Sequence, residues 1–177
     1  MIVRDAEPAD LEAILEIHNT AIAESTAIWD TEQVDLDERV AWWAHRRQAG
    51  FPVLVAEIDG AVAGYASYGP WRPKSGYRFT VENSVYVADG FHRRGVATAL
   101  LGELVVRAKI DGVHVIVAGI EASNQASIAL HRNFGFEIVA EMPQVGAKFG
   151  RWMDLTLMQL MLPGPVNGPA EERGVGS

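Results

Sequence analysis

Apolar positions switch between a two-residue and a 3.6-residue period several times along the chain, and the switches predict its elements. Val96, Ala97, Leu100, Leu101, Leu104, Val105 and Ala108 fall on one stripe of an amphipathic helix. The run before it, Thr80–Ala88, carries β-branched and aromatic residues and reads as a strand that Asp89-Gly90 ends. Upstream, Ile2–Ala6 is a short strand. Glu7-Pro8 then opens a helix whose apolar face begins with Leu11, Ile14, Leu15 and Ile17. Asp35-x-x-Glu38 has the form of a capping box for a second helix, which Gly50 ends. Trp42 and Trp43 on that helix read as packing residues rather than ligand-stacking ones.

Phe51–Ile58 and Ala61–Tyr68 are strands joined at Asp59-Gly60, a two-residue hairpin signal. Gly69–Thr80 is a connection rich in Pro, Gly and basic residues. Downstream lie a strand at Val113–Glu121, a helix from an Asn124 cap to about Phe134, and strands at Phe136–Met142 and Arg151–Met161. The order βααβββαβαββ predicts one α/β (α+β) domain over residues 1–162, with a mostly antiparallel sheet that turns parallel around the helix at Val96. Pro163–Ser177 has four glycines, three prolines and no apolar period, so a disordered tail is expected there.

Composition narrows the function classes. The net charge is −8, from 23 acidic and 15 basic residues, which argues against nucleic acid or a membrane surface as partner. With no cysteine, disulfides, thiolate metal sites and a cysteine nucleophile are excluded. His18, His45, His92 and His114 lack metal-ligand spacing, so no metal is expected. The N-terminus lacks a signal-peptide core, and no apolar run is long enough for a bilayer. A cytoplasmic protein is the expectation.

Three groups of residues can carry chemistry. Arg93-Arg94-Gly95-Val96-Ala97-Thr98 lies at a helix N-terminus, where unpaired N–H groups, the macrodipole and two guanidinium groups suit a phosphate. The same residues also fit a plain solvated helix start. Glu82, on the strand leading into that turn, could accept a proton from an ammonium group; it also fits an ordinary strand carboxylate. Arg72, Lys74 and Arg78 cluster after Gly69 in an otherwise acidic chain and could meet a carboxylate, with Trp29, Trp71, Tyr77 and Phe79 packing around it. A solvated basic loop is the alternative.

The run V-Y-V-A-x-x-x-x-R-R-G-V-A-T-A-L-L resembles the acetyl-CoA motif of the GNAT N-acetyltransferase superfamily, [Q/R]-x-x-G-x-[G/A]. Gly95 and Ala97 match its last two fixed positions, while His92 stands where the motif has Gln or Arg. A second signature resembles N-Q-A-S-I-A-L-H-R-N-F-G-F, from Asn124 to Phe136. Ala63–Arg72, Glu82–Val87 and Lys148–Asp154 are similar to the phosphinothricin and methionine sulfoximine acetyltransferase branch.

This resemblance implies a GNAT-type sheet with two splayed central strands and acetyl-CoA as co-substrate. It implies that Val85, Tyr86 and Val87 pair with the pantetheine arm and that the Val87 N–H polarises the thioester carbonyl. Arg93, Arg94, Gly95, Val96, Ala97 and Thr98 would hold the pyrophosphate, and Asn124 and Ser127 would contact the cofactor. Glu82 and His131 become the catalytic candidates, with the principal base left open between them. The implied acceptor is the α-amine of a small amino acid or analogue, acetylated by direct transfer and bound near Trp29, Arg72, Lys74, Tyr77 and Arg78. A homodimer with its substrate site near the interface is also implied. Acetylation of a peptide N-terminus or other amine, and a non-catalytic acetyl-CoA-binding module, remain as alternatives. Detoxification of an inhibitor and metabolism of a natural amino acid stay equally open.

Overall fold

The computed structural model describes residues 1–164. Most of the expected tail, from residue 165 on, lies outside the described residues. Seven strands form one sheet in the order β1-β2-β3-β4-β5-β7-β6. In chain order the elements are β1 (Ile2–Asp5), α1 (Leu11–Glu24), α2 (Leu36–Gln48), β2 (Val53–Ile58), β3 (Ala61–Pro70), β4 (Thr80–Val87), α3 (Val96–Ile110), β5 (Val115–Glu121), α4 (Gln125–Asn133), β6 (Glu137–Lys148) and β7 (Arg151–Met161). Short 3-10 turns precede α1 and β4. Among the described residues no helix is long and apolar enough to cross a membrane.

Local signals set several boundaries. Asp35 caps α2 by accepting from the Glu38 N–H at 2.9 Å. Asp59 and Gly60 both have positive φ, as a tight hairpin turn requires. At β6 the sequence falls short: the strand runs to Lys148, not Met142. Pro143 suggests a break, but β6 is an edge strand. Its pairing with β7 shifts between Met142 and Gly146, so the proline sits in an irregularity where no ladder hydrogen bond is needed.

Every strand pair is antiparallel except β4–β5. That parallel pairing covers Thr80–Glu82 against Val115–Val117 and then stops, although β4 continues to Val87 and β5 to Glu121. The two strands diverge beyond Glu82 and open a cleft in the middle of the sheet. One apolar cluster packs α3 on one face of the sheet through Leu100, Leu101 and Leu104, with Val81, Val85 and Val87 turned toward it. The other packs α1 through Leu11, Ile14 and Ile17, with Tyr65 and Tyr86 turned toward it. Alternation along β4 therefore sends odd-numbered side chains to the α3 face and even-numbered ones to the α1–α2 face.

Candidate active site

The divergence of β4 and β5 creates a cleft of about 960 Å³. Its walls include Glu82–Ala88, Ala118–Glu121, the start of α4 and the C-terminal half of α1. Ala88 donates to the Ala63 carbonyl on β3 at 2.9 Å. In an extended chain the preceding N–H, that of Val87, then faces the cleft. Along its rim the loop to α3 has positive φ at Gly90, Arg93 and Gly95, and Gly95 is the N-cap of α3. A Cβ on Gly95 would meet nothing within 4 Å, so the space above this turn is open to a ligand. Left-handed residues next to a helix start turn backbone N–H groups outward, which is an anion-binding geometry. The Arg94 guanidinium stacks on Phe91 at 5.2 Å.

Glu82 is exposed, but into the cleft. Desolvation there pushes its carboxyl above the ordinary carboxylate range, against the opposing charge of Arg72. Among the described residues it makes no hydrogen bond or ion pair. His131, on α4, is buried at 4% exposure. Its Nδ1 donates to the Ser127 carbonyl at 2.8 Å, which fixes the tautomer, so Nε2 accepts from the Asn83 side-chain amide at 3.0 Å. Desolvation lowers the imidazole pKa, and the ring is neutral near pH 7. Asn83 and Glu82 are neighbours on β4 and point to opposite faces, so the two catalytic candidates approach the cleft from opposite sides. The Asn83 carbonyl oxygen is buried without a partner.

Several expected site residues converge on the cleft: Glu82, Val85, Tyr86, Val87, Ala97, Asn124, Ser127, His131 and Trp29 line it. Asn124 also caps α4, accepting from the Ser127 N–H at 3.0 Å. Arg93, Arg94, Gly95, Val96 and Thr98 are outside the lining, on the loop and first turn beside Ala97. Trp29 lies against Gly146, where a Cβ would clash with its ring. Its loop is held by buried Lys148, which donates to the Ser25 carbonyl at 2.8 Å and to the Ile28 carbonyl. Arg72, Lys74, Tyr77 and Arg78 are exposed and line neither this cleft nor its smaller neighbour. Arg72 and Arg78 stack on Trp71 and Phe79.

Sequence reasoning missed Asn83, and it missed a cavity of about 90 Å³ on the α1–α2 face, bounded by His18, Arg39, Trp42, Arg46 and Tyr65. The signal for the cavity was present: Arg39 and Arg46, seven residues apart, share one face of α2.

The Acetyltransferase (GNAT) family pattern matches residues 14–136. The chain belongs to the GNAT acetyltransferase family. A Pseudomonas aeruginosa L-methionine sulfoximine/L-methionine sulfone acetyltransferase is 55% identical over 161 residues, covering 90% of this chain and 94% of the relative. A phosphinothricin N-acetyltransferase of Alcaligenes faecalis is 39% identical over 158 residues, covering 89% of this chain and 80% of the relative. A GNAT fold is equally plain in three dimensions. An acetyltransferase from Salmonella typhimurium, solved with its cofactor acetyl-CoA, superposes with a TM-score of 0.93 at 49% identity, covering 98% of each chain.

Proposed function

We propose that this GNAT-family chain acetylates the α-amine of a small amino acid or analogue, with methionine sulfone, methionine sulfoximine and phosphinothricin as model acceptors and acetyl-CoA as donor. The observation that carries the reading is the unpaired Glu82 carboxylate at the point where β4 and β5 part, below an open, anion-binding helix start. The names and identity of the relatives support the same acceptors.

The residues fit acetyl-CoA. The left-handed turns at Gly90, Arg93 and Gly95 suit its pyrophosphate, and the unpaired edge of β4 suits its amide-bearing arm. When bound, it supplies an activated acetyl group. The Val87 N–H faces the cleft and would donate to the carbonyl oxygen of that group. Arg93, Arg94, Val96, Ala97 and Thr98 complete the phosphate cradle, while Asn124 and Ser127 border the arm.

An α-ammonium with a pKa of about 8 must lose a proton before its nitrogen can attack. Glu82 takes that proton. Its raised pKa brings it closer to the amine's than an ordinary carboxylate, which suits a general base. Both ring nitrogens of His131 are already engaged, so His131 orients the α4 side of the cleft through Asn83 and Ser127 rather than acting as principal base. In direct transfer the deprotonated amine nitrogen would form the amide bond as the thioester C–S bond breaks, and CoA would leave as a thiolate that takes up the proton the new amide nitrogen sheds. Arg72 lies near enough to act on the Glu82 charge and steers the anionic acceptor from the rim, with Lys74, Tyr77 and Arg78 farther along the same loop.

The working form is a homodimer. At the β6–β7 turn, Phe149 and Trp152 are 57% and 67% exposed, apolar surface that suits a second copy. Incubation with acetyl-CoA and each model acceptor should release free thiol, with the acetyl group found on the α-nitrogen by mass spectrometry. No release above background at high enzyme with any of the three would refute the small-amino-acid reading. Release with peptide amines alone would replace it.

A further inference from the structure

Lys148 is the one buried residue among the twelve of β6, an edge strand whose other side chains are exposed or half-exposed. A buried charge is costly unless its donors are satisfied. The ammonium makes no ion pair among the described residues. Desolvation lowers its pKa, and the charge of Asp30 offsets this in part. It donates to the Ser25 carbonyl at 2.8 Å and to the Ile28 carbonyl, and it lies 4.9 Å from the centre of the Phe149 ring. Ser25 is the C-cap of α1, a helix with no basic residue in its last turn. The open carbonyls and negative dipole end of a helix C-terminus favour a cation. Lys148 supplies that cation from the edge strand.

The segment it holds is a wall of the cleft, which Ser25, Ala27, Ile28 and Trp29 all line. This segment follows α1 and has no helix or strand of its own. Its internal bonds close short turns: Ser25 Oγ donates to the Ala21 carbonyl at 2.8 Å, and Trp29 Nε1 to the Thr26 carbonyl at 3.0 Å. The hydrogen bonds that tie it to a strand come from Lys148. Gly146 gives the second contact, since a Cβ there would lie 2.3 Å from the Trp29 ring. Gly146 and Lys148 are two residues apart on β6 and share a face. One strand thus offers the wall both a cleared space and a cation. Glu82 is on the α1–α2 face of β4, the face to which this wall belongs. The phosphate-binding turn opens α3 on the other face. The wall therefore borders the acceptor's approach to Glu82 rather than the anchoring of the cofactor.

We propose that Lys148 is a positioning residue for the acceptor: its ammonium pins the Ser25–Trp29 wall, and so fixes where Trp29 stands relative to Glu82. This rests on the acetyl-transfer reading above and adds to it a residue on a distant hairpin that touches no reacting atom. Acyl transfer needs the amine nitrogen close to its attack position, and a misplacement of about 1 Å can cost about 100-fold in rate. A wall without regular structure holds such a position when an outside group fixes its main chain, as two bonds from one buried ammonium do here.

The test uses Lys148→Met, which keeps the stem and removes the charge. Its kcat/KM for methionine sulfone should fall about 10- to 100-fold, while the KM for acetyl-CoA stays within about twofold of the parent's. Lys148→Arg, which keeps a cation, should recover part of the loss. Gly146→Ala displaces the Trp29 ring from the other contact and should show the same split between the two substrates. Parental kcat/KM in Lys148→Met overturns the proposal, and so does an equal loss for acceptor and acetyl-CoA. Amide hydrogen exchange gives a readout apart from activity. In Lys148→Met, exchange should quicken over residues 21–29 and stay parental in β2 and β3; a rise throughout the chain, or none, overturns the pin. Should Lys148→Met fail to fold, Gly146→Ala and the parent decide. Treated with an acetylating ester, the parent should be modified at exposed Lys74 and Lys109 and protected at Lys148. Equal modification of all three overturns the pin. Should the parent transfer no acetyl group to any acceptor, the acetyl-transfer reading falls, and the exchange and labelling results still decide whether Lys148 holds the wall.

Discussion

The Glu82 carboxylate is held where the fold disfavours its charge. Its pKa is raised in the folded protein, so folding stability declines as pH climbs from the ordinary carboxylate range through the raised value. Glu82→Gln removes that penalty. Thermal unfolding near pH 7 should therefore occur at a higher temperature in the variant, and the gain should vanish at pH 3, where both proteins carry a neutral group. A lower melting temperature at pH 7 would show that Glu82 holds the sheet together instead. Glu82 was legible in the sequence as the acid residue on the strand leading to the Arg93–Thr98 turn. Asn83 was not, because a polar residue on a strand facing a helix gives no periodic signal. Its role emerges only when α4 brings the His131 ring to 3.0 Å. Replacing His131 with Ala should leave the Asn83 amide without its partner and cost a few kcal/mol of stability, read by denaturant unfolding.

At the scale of elements, the site depends on how closely α3 can approach the sheet. Gly64 on β3 permits that approach: a Cβ there would lie 2.6 Å from the Tyr86 carbonyl and 2.9 Å from Val96 Cγ1. Gly64→Ala must push the first turn of α3 away from β4. Overpacking of this kind costs about 1–3 kcal/mol. Because the turn also carries Gly95 and Ala97, the KM for acetyl-CoA should rise as well. A variant with parental stability and KM would show that α3 tolerates the added methyl without moving. The helix–turn signatures were readable because caps and turn glycines act locally, as at Asp35, Asp59-Gly60 and Asn124. The inward face of α2 was not. Its buried residue is Arg39 while Val40 is exposed, so tertiary charge pairing overrides the apolar pattern there. The length of β6 was hidden for a related reason, since Pro143 is compatible with an edge strand only once its partner β7 is known.

For the whole molecule, the sheet is two half-sheets joined by the three β4–β5 residue pairs. This junction, not any single loop, makes the cleft. The mostly antiparallel sheet and its parallel turn around α3 followed from the alternation of elements, whereas the strand order and the point of divergence did not, because strand sequences record neither their partners nor where pairing stops. The exposed β6–β7 surface has its own test. Trp152→Glu should shift the protein from dimer to monomer in sedimentation, with acetyl-CoA still bound; a parent that sediments as a monomer would dismiss the dimer.

The most direct measurement is turnover of methionine sulfone by the parent and Glu82→Gln enzymes across pH 6–10. Loss of the general base should lower kcat by about 10²–10⁴-fold near pH 7. The gap should narrow above pH 9, where the amine arrives neutral, while the KM for acetyl-CoA stays near the parent's. Near-parental turnover by Glu82→Gln at pH 7 would contradict the assignment of Glu82 as the proton acceptor and return the question to His131 or a bound water.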